Sequence, residues 1–303
     1  MAEIKLYNTQ GTVQEMKSST VALEKELQTL IENNMELFFG VWFLKTEFQI
    51  NNGRMDSIGI DENYSPVIFE YKRSKNENVI NQGLFYLDWL LDHKAEFKLL
   101  VMDKLGKDEA DKIDWSYPQV ICIANDFTKF DEHAVKQMQR NIKLVRYRKF
   151  DDLLMFEYLN TPSVKAITDT SNILQSGKKT TIKSFVQQFE SASQNMKDLY
   201  ETVRNHILSL GDDITENQLK LYAAFKKIRN IACVELYAAS AKLIIRLQID
   251  PDTVEEPMKS KKNISKNTIG IGHFGTGEAA FTITSPEEFE LFKPYIEQAY
   301  NEN

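Results

Sequence analysis

The sequence predicts an α/β chain in two parts: a mixed sheet flanked by helices over residues 1–160, and a smaller α+β domain over 185–303. Three observations carry that expectation. At 303 residues the chain exceeds an ordinary single core. Short apolar, strand-like runs alternate with helix-period segments as far as Leu159, the rhythm of a sheet covered by helices. The stretch 161–184 then breaks the pattern with Thr161-Pro162 and Ser176-Gly177-Lys178-Lys179, the composition of a linker. With 42% hydrophobic and 11% aromatic residues, the chain has ample material for packed cores.

Taken in order, Ile4–Tyr7 can form a short strand. Thr20 can cap a helix running to about Leu37, with Leu23, Leu27, Leu30 and Ile31 as its apolar stripe. Phe43–Ile50 reads as a strand, Asn51-Asn52-Gly53 as a turn, and Arg54–Ile60 as the next strand. Asp61 opens a polar turn, where its side chain suits the backbone better than a ligand. Pro66–Arg73 completes a hairpin. Asn78–His93 has Ile80, Leu84, Leu87 and Leu91 near helical spacing, and Lys94–Ile113 reads as one or two helices. Pro118–Ala124 is apolar enough to be a strand buried on both faces. An amphipathic helix over Phe130–Arg140 and strands at Ile142–Tyr147 and Leu153–Leu159 complete the first domain. Arg140, Lys143, Arg146, Arg148 and Lys149 are its densest basic cluster, either a phosphate-contacting strip or solvated surface charge.

The chemistry concentrates in the 54–86 stretch. Alternation along a strand puts Glu70 and Lys72 on one face, with Cα atoms about 6.6 Å apart. The partner strand of the hairpin can bring Asp56 beside Glu70. Two carboxylates and one ammonium converging at one place are expensive to bury unaided, which points to a divalent cation. Asp56 in Gly-Arg-Met-Asp, Glu70-Tyr71-Lys72 on the next strand, and Gln82-x-x-x-Tyr86 on the following helix resemble the PD-(D/E)XK phosphodiesterase superfamily. The upstream Leu23–Gln28 and Asn33–Leu37 segments resemble the leading helix of its NucS endonuclease branch. The resemblance spans residues 20–155 and implies a restriction-endonuclease-like sheet and a Mg²⁺- or Mn²⁺-dependent endonuclease acting on DNA.

By that resemblance, Asp56, Glu70 and the Tyr71 carbonyl hold the cation. Glu24 assists from the leading helix, with Glu26 and Glu32 as competing assignments. Lys72 orients the attacking water or stabilises the transition state. Gln82 and Tyr86, four apart on a helix, look toward the scissile phosphate. Arg54, Arg73 and Lys75 are the candidates for contact with the nucleic-acid backbone. A net charge of −7 sits awkwardly with phosphate binding and keeps a second reading open. In that reading the first domain binds nucleic acid without turnover, and the tail is a protein-interaction or oligomerisation module that would allow a homodimer.

The tail reads as a helix over Phe185–Leu210, strands at Leu219–Phe225, Ile231–Tyr237, Leu243–Ile249 and Ala279–Ile283, and a last helix. Ser285-Pro286-Glu287-Glu288 supplies that helix's capping-box start. This part is similar to a small domain of unknown function often labelled a predicted transport protein. Gly270-Ile271-Gly272-His273-Phe274-Gly275 fits the dinucleotide fingerprint, but a strand rather than a helix follows it, so it reads as a turn. His93, His133, His206 and His273 lack metal-ligand spacing. Cys122 and Cys233 lie in apolar runs and read as reduced core residues. Without a signal-peptide pattern or a run of ~20 apolar residues, a cytoplasmic location off the membrane is the expectation.

Overall fold

A computed structural model describes residues 4–19, 24–72, 79–162, 183–254, 265–267 and 275–303. Among these, the chain divides into two compact units. The first falls within Met1–Ile60, Pro66–Lys112 and Pro118–Val164; the second within Asp61–Ser65, Ile113–Tyr117 and Lys165–Asn303.

The first unit begins with a small hairpin, β1 (Leu6–Asn8) against β2 (Gln14–Met16), followed by β3 (Ser18–Ser19). Helices α1 (Glu24–Asn33) and α2 (Met35–Phe39) come next, then strands β4 (Val41–Ile50), β5 (Gly53–Asp61) and β6 (Pro66–Lys72). Helices α3 (Val79–Asp92), α4 (Lys94–Leu105) and α5 (Lys107–Ala110) lead to β7 (Gln119–Ala124). Helix α6 (Lys129–Gln137) then precedes β8 (Asn141–Phe150) and β9 (Leu153–Tyr158). The sheet runs β3-β8-β7-β6-β5-β4, with β9 also paired to β8. It is mixed: β6, β7 and β8 are parallel neighbours, whereas β5–β6 and β8–β9 are antiparallel. This is the helix-flanked mixed sheet that the sequence predicts.

The apolar pattern explains the layers. Leu27 and Ile31 of α1, with Met35 and Phe39 of α2, pack on Val67, Phe69, Tyr71, Ile121, Ile123, Val145 and Tyr147. The expected single helix to Leu37 breaks at Asn34, whose side-chain amide donates to the Leu30 carbonyl at 2.8 Å. Leu30 is 43% exposed, so it leaves the predicted stripe; Thr20 and Leu23 lie outside the described residues. On α3 the buried face is Val79, Ile80, Gly83, Tyr86, Leu87 and Leu90, while Leu84 and Leu91 are half-buried. Gly83 sets that rotation: a Cβ there would lie 2.5 Å from a Val120 methyl, so the helix backbone rests on β7. Arg146 is not part of an open basic strip. It is buried and ion-paired with Asp126 and Glu157 at 3.2 Å each.

The second unit comprises helices α7 (Phe185–Ser191) and α8 (Gln194–Ser209), then strands β10 (Thr215–Gln218), β11 (Ala223–Lys226), β12 (Asn230–Tyr237) and β13 (Lys242–Leu247). Strands β14 (Ser265–Asn267) and β15 (Ala279–Ile283) follow, then helices α9 (Pro286–Glu290) and α10 (Lys293–Glu302). The antiparallel sheet runs β10-β11-β12-β13-β15-β14. One of its faces packs Phe225, Val234, Ile245 and Phe281 against Met196, Val203, Ile207, Phe289, Phe292 and Ile296. The predicted 185–210 helix splits because Ser193 caps a new start, accepting from the Met196 N–H. Ser285 caps α9 through the Glu288 N–H, as the sequence predicts. Polar β10 and short β14 were not among the predicted strands. Both cysteines are free and buried, and no helix among the described residues is long and apolar enough to cross a membrane.

Candidate active site

The β5–β6 hairpin delivers the two acids to one place. Its register sets Ser57 opposite Phe69, so the preceding residue on β5 meets the following one on β6. Glu70 Oε1 accepts from the Asp56 N–H at 3.3 Å, and Asp56 Oδ2 accepts from the Tyr71 N–H at 3.0 Å. Each carboxyl is thus held by backbone of the opposite strand. Tyr71 turns its ring into the core with Phe69, leaving its backbone at the acidic pair. Lys72 follows Glu70 by two residues on the same face, and its charge acts on both carboxyls.

Glu70 is 1% exposed. Burial, and then the Asp56 charge beside it, push its carboxyl up to about 9, against the lowering pull of the Asp56 N–H and Lys72. Burial raises Asp56 as well, opposed by the Tyr71 N–H, Lys72 and Arg54. The two carboxyls share a hydrogen bond, so Glu70 keeps its proton near neutral pH and the two titrate as a coupled unit.

Around the pair, Tyr86 and Arg54 meet: the Arg54 N–H donates to the Tyr86 hydroxyl at 3.4 Å. Burial raises the Tyr86 hydroxyl, and the charges of Glu70 and Asp56 add to that rise. Gly53 makes the approach possible, since a Cβ there would lie 2.8 Å from the Tyr86 ring. The Arg54 guanidinium reaches outward to Glu47 at 3.3 Å. On α3, Gln82 is exposed and Tyr86, four residues on, is buried. Arg73 and Lys75 lie outside the described residues.

From α1, Gln28, a residue that sequence reasoning did not single out, reaches the Asp56 backbone. Its buried amide donates to the Asp56 carbonyl at 2.8 Å, to Glu32 Oε1 at 2.8 Å and toward Thr46 Oγ1 at 3.2 Å. Glu32 also accepts from the Ser57 hydroxyl at 2.6 Å. Glu24 begins the same helix, a turn ahead of Gln28. A glutamine flanked by Lys25 and Glu32 on a helix gives no sequence signal that it will reach a strand carbonyl.

The two converging carboxyls are oxygen donors of the kind a hard cation takes. Among the described residues, no three Asp, Glu, His or Cys side chains gather into a metal-holding group.

Fold and site together define an α/β protein with a half-buried aspartate and a buried glutamate brought side by side near a lysine, joined to a smaller α+β unit. The chain belongs to the family of an uncharacterized protein of Haemophilus influenzae. The two are 33% identical over 298 residues, which is 95% of this chain and 96% of the relative. Residues 186–303 match DUF5655, a domain of unknown function, a description that assigns no transport role. Among solved structures, an EndoMS complex with double-stranded DNA is similar over 42% of this chain and 47% of its own, at 21% identity and a TM-score of 0.29. A repair endonuclease from Pyrococcus abyssi is similar over 44% and 51%, at 19% identity and a TM-score of 0.28. The matched region spans about half the length of each.

Proposed function

We propose that the first unit is a divalent-cation-dependent endonuclease that hydrolyses DNA phosphodiesters. The observation that carries this reading is the convergence of Asp56 and Glu70, each held by backbone N–H of the opposite strand, on the strand face that also bears Lys72. DNA is the substrate that the PD-(D/E)XK resemblance implies.

In this reading Asp56, Glu70 and the Tyr71 carbonyl hold Mg²⁺. The bound ion would supply an acidified water and neutralise charge on the phosphoryl oxygens. Holding such an ion would require Glu70 to release its proton, so the acid pair would be fully anionic only with the site filled. Lys72 is a compact cation placed to steady the attacking water or the developing negative charge. Arg54, anchored through its backbone to Tyr86, offers a guanidinium to a neighbouring phosphate.

The test is cleavage of single- and double-stranded DNA by purified protein with Mg²⁺ or Mn²⁺. Wild type is expected to cut. Glu70→Gln and Lys72→Ala are each expected to lose roughly 10²–10³ in rate, the scale of losing one charge-stabilising group. Cleavage that survives unchanged in either variant overturns the proposal. Salt-sensitive binding with no cleavage under either metal would leave a nucleic-acid-binding module instead.

A further inference from the structure

The turn that closes the β5–β6 hairpin is part of the second unit. Asp61 Oδ1 accepts from the Asn63 and Ser65 N–H groups at 2.9 Å each, while Oδ2 takes the Lys226 ammonium at 2.8 Å. The Asn63 and Asn230 side chains exchange amide hydrogen bonds at 3.0 and 2.6 Å, and the Tyr222 hydroxyl donates to Asn63 at 3.1 Å. Glu62 accepts from the Asn230 N–H, and Asn230 also donates to Thr276 at 2.8 Å. Asp61, Asn63, Ser65, Lys226 and Asn230 are all at most 6% exposed. The turn's polar groups are thus matched by side chains from the 222–230 segment and Thr276.

We propose that Lys226 and Asn230 are positioning residues for the Asp56–Glu70 pair. The inference deepens the endonuclease reading and rests on it for the identity of the site. Its basis is the geometry of hairpins, in which the turn fixes the register and a one-residue slip reverses every side chain's face. Asp56 lies five residues before Asp61, and Glu70 five after Ser65. Whatever fixes residues 61–65 therefore decides whether the two carboxyls meet. Lys226 fixes Asp61, and Asp61 in turn holds two N–H groups inside the turn. Asn230 fixes Asn63 and Glu62. The DUF5655 part of the chain then supplies alignment to the acidic pair.

The experiment uses full-length Lys226→Met, Asn230→Ser and the double variant Asp61→Asn/Lys226→Met, at a temperature where circular dichroism shows each fully folded. Two quantities are read: amide hydrogen exchange of residues 55–58 and 69–72, and Mn²⁺ affinity. Lys226→Met is expected to speed exchange at those amides at least tenfold and to weaken Mn²⁺ at least tenfold. The double variant, which removes the stranded charge but keeps an acceptor at position 61, is expected to return most of both. A folded Lys226→Met with wild-type exchange and Mn²⁺ affinity, merely less stable, would overturn the proposal. If Lys226→Met does not fold, Asn230→Ser, which keeps the ion pair, is judged by the same two readouts. Should wild type bind no Mn²⁺, the endonuclease reading fails, and the exchange rates alone still decide whether Lys226 and Asn230 align the hairpin.

Discussion

Two buried acidic places lie on one hairpin, five residues apart along β5, and they solve the same problem differently. Asp61 has an internal cation: Lys226, 5% exposed at the side chain, sits 2.8 Å away, and the Asp61 charge holds its ammonium above the usual lysine range against burial. Asp56 and Glu70 have each other. The Lys72 charge acts on both, yet Glu70 is still pushed up to about 9 and the pair keeps a proton. A compensated acid of the first kind holds a turn. The under-compensated pair stores unfavourable electrostatics that a ligand could relieve, as functional sites do.

The comparison is tested most strongly by pH. Glu70 has a folded value of about 9, above its ordinary 4.5, so the folded state holds a proton that the unfolded chain releases. Its contribution to stability is complete below about pH 4.5 and is lost as pH rises through 9. Without added metal, Glu70→Gln should match wild type near pH 5 and exceed it near pH 9 by several kcal/mol, on the order of 10 °C in melting temperature. Equal pH profiles for the two would show that the pair is not under-compensated. Lys226→Met should act in the opposite sense. Breaking a buried pair strands Asp61 and should cost about 3–5 kcal/mol in a denaturant titration at pH 7. The Asp61→Asn/Lys226→Met variant should recover much of that loss.

A cation should stabilise the Asp56–Glu70 pair and leave the Asp61–Lys226 pair alone. At about 100 times its dissociation constant, Mn²⁺ should raise the unfolding free energy by roughly 2.7 kcal/mol. Because Glu70 must release its proton, affinity should climb with pH up to about 9, by as much as about tenfold per unit. Asp56→Asn should abolish the shift, whereas Asp61→Asn/Lys226→Met should retain most of it. Calorimetric titration at three pH values measures this directly.

The sequence made the hairpin legible because its signals are local. Strand alternation placed Glu70 and Lys72 together, the polar Asp61–Ser65 turn closed the strands, and Asp56 fell within reach. The buried β7 run and the Ser285 cap were equally local. What stayed hidden depends on partners distant in the chain. Asp61 reads as an ordinary turn residue until Lys226, 165 positions away, is seen against it. Arg146 reads as surface charge until Asp126 and Glu157 neutralise it. Polar β10, Thr-Glu-Asn-Gln, carries no apolar alternation, and only pairing with β11 makes it a strand. The site's own helix was half legible: its apolar Leu27 and Ile31 announced the packing, but not which polar residue would reach the strand.

That last point separates Gln28 from Glu24. The resemblance assigns the metal-assisting role to Glu24, with Glu26 and Glu32 as rivals, yet the buried donor at the Asp56 carbonyl is the Gln28 amide. Gln28→Ala would leave the Asp56 carbonyl, Thr46 and Glu32 short of a donor. The expected cost is about 1–3 kcal/mol of stability, with a several-fold weaker Mn²⁺ site as β5 loosens. Glu24→Ala removes a first-turn acid, whose value to the helix dipole is about 0.3–1 kcal/mol, and should weaken Mn²⁺ only if that carboxylate reaches the ion. Measuring both variants at pH 8 decides between them. If Glu24→Ala weakens Mn²⁺ tenfold or more and Gln28→Ala does not, the helical acid is a ligand after all. The acidic pair would then gain its third carboxylate from the start of α1, and Gln28 would be left with a packing role.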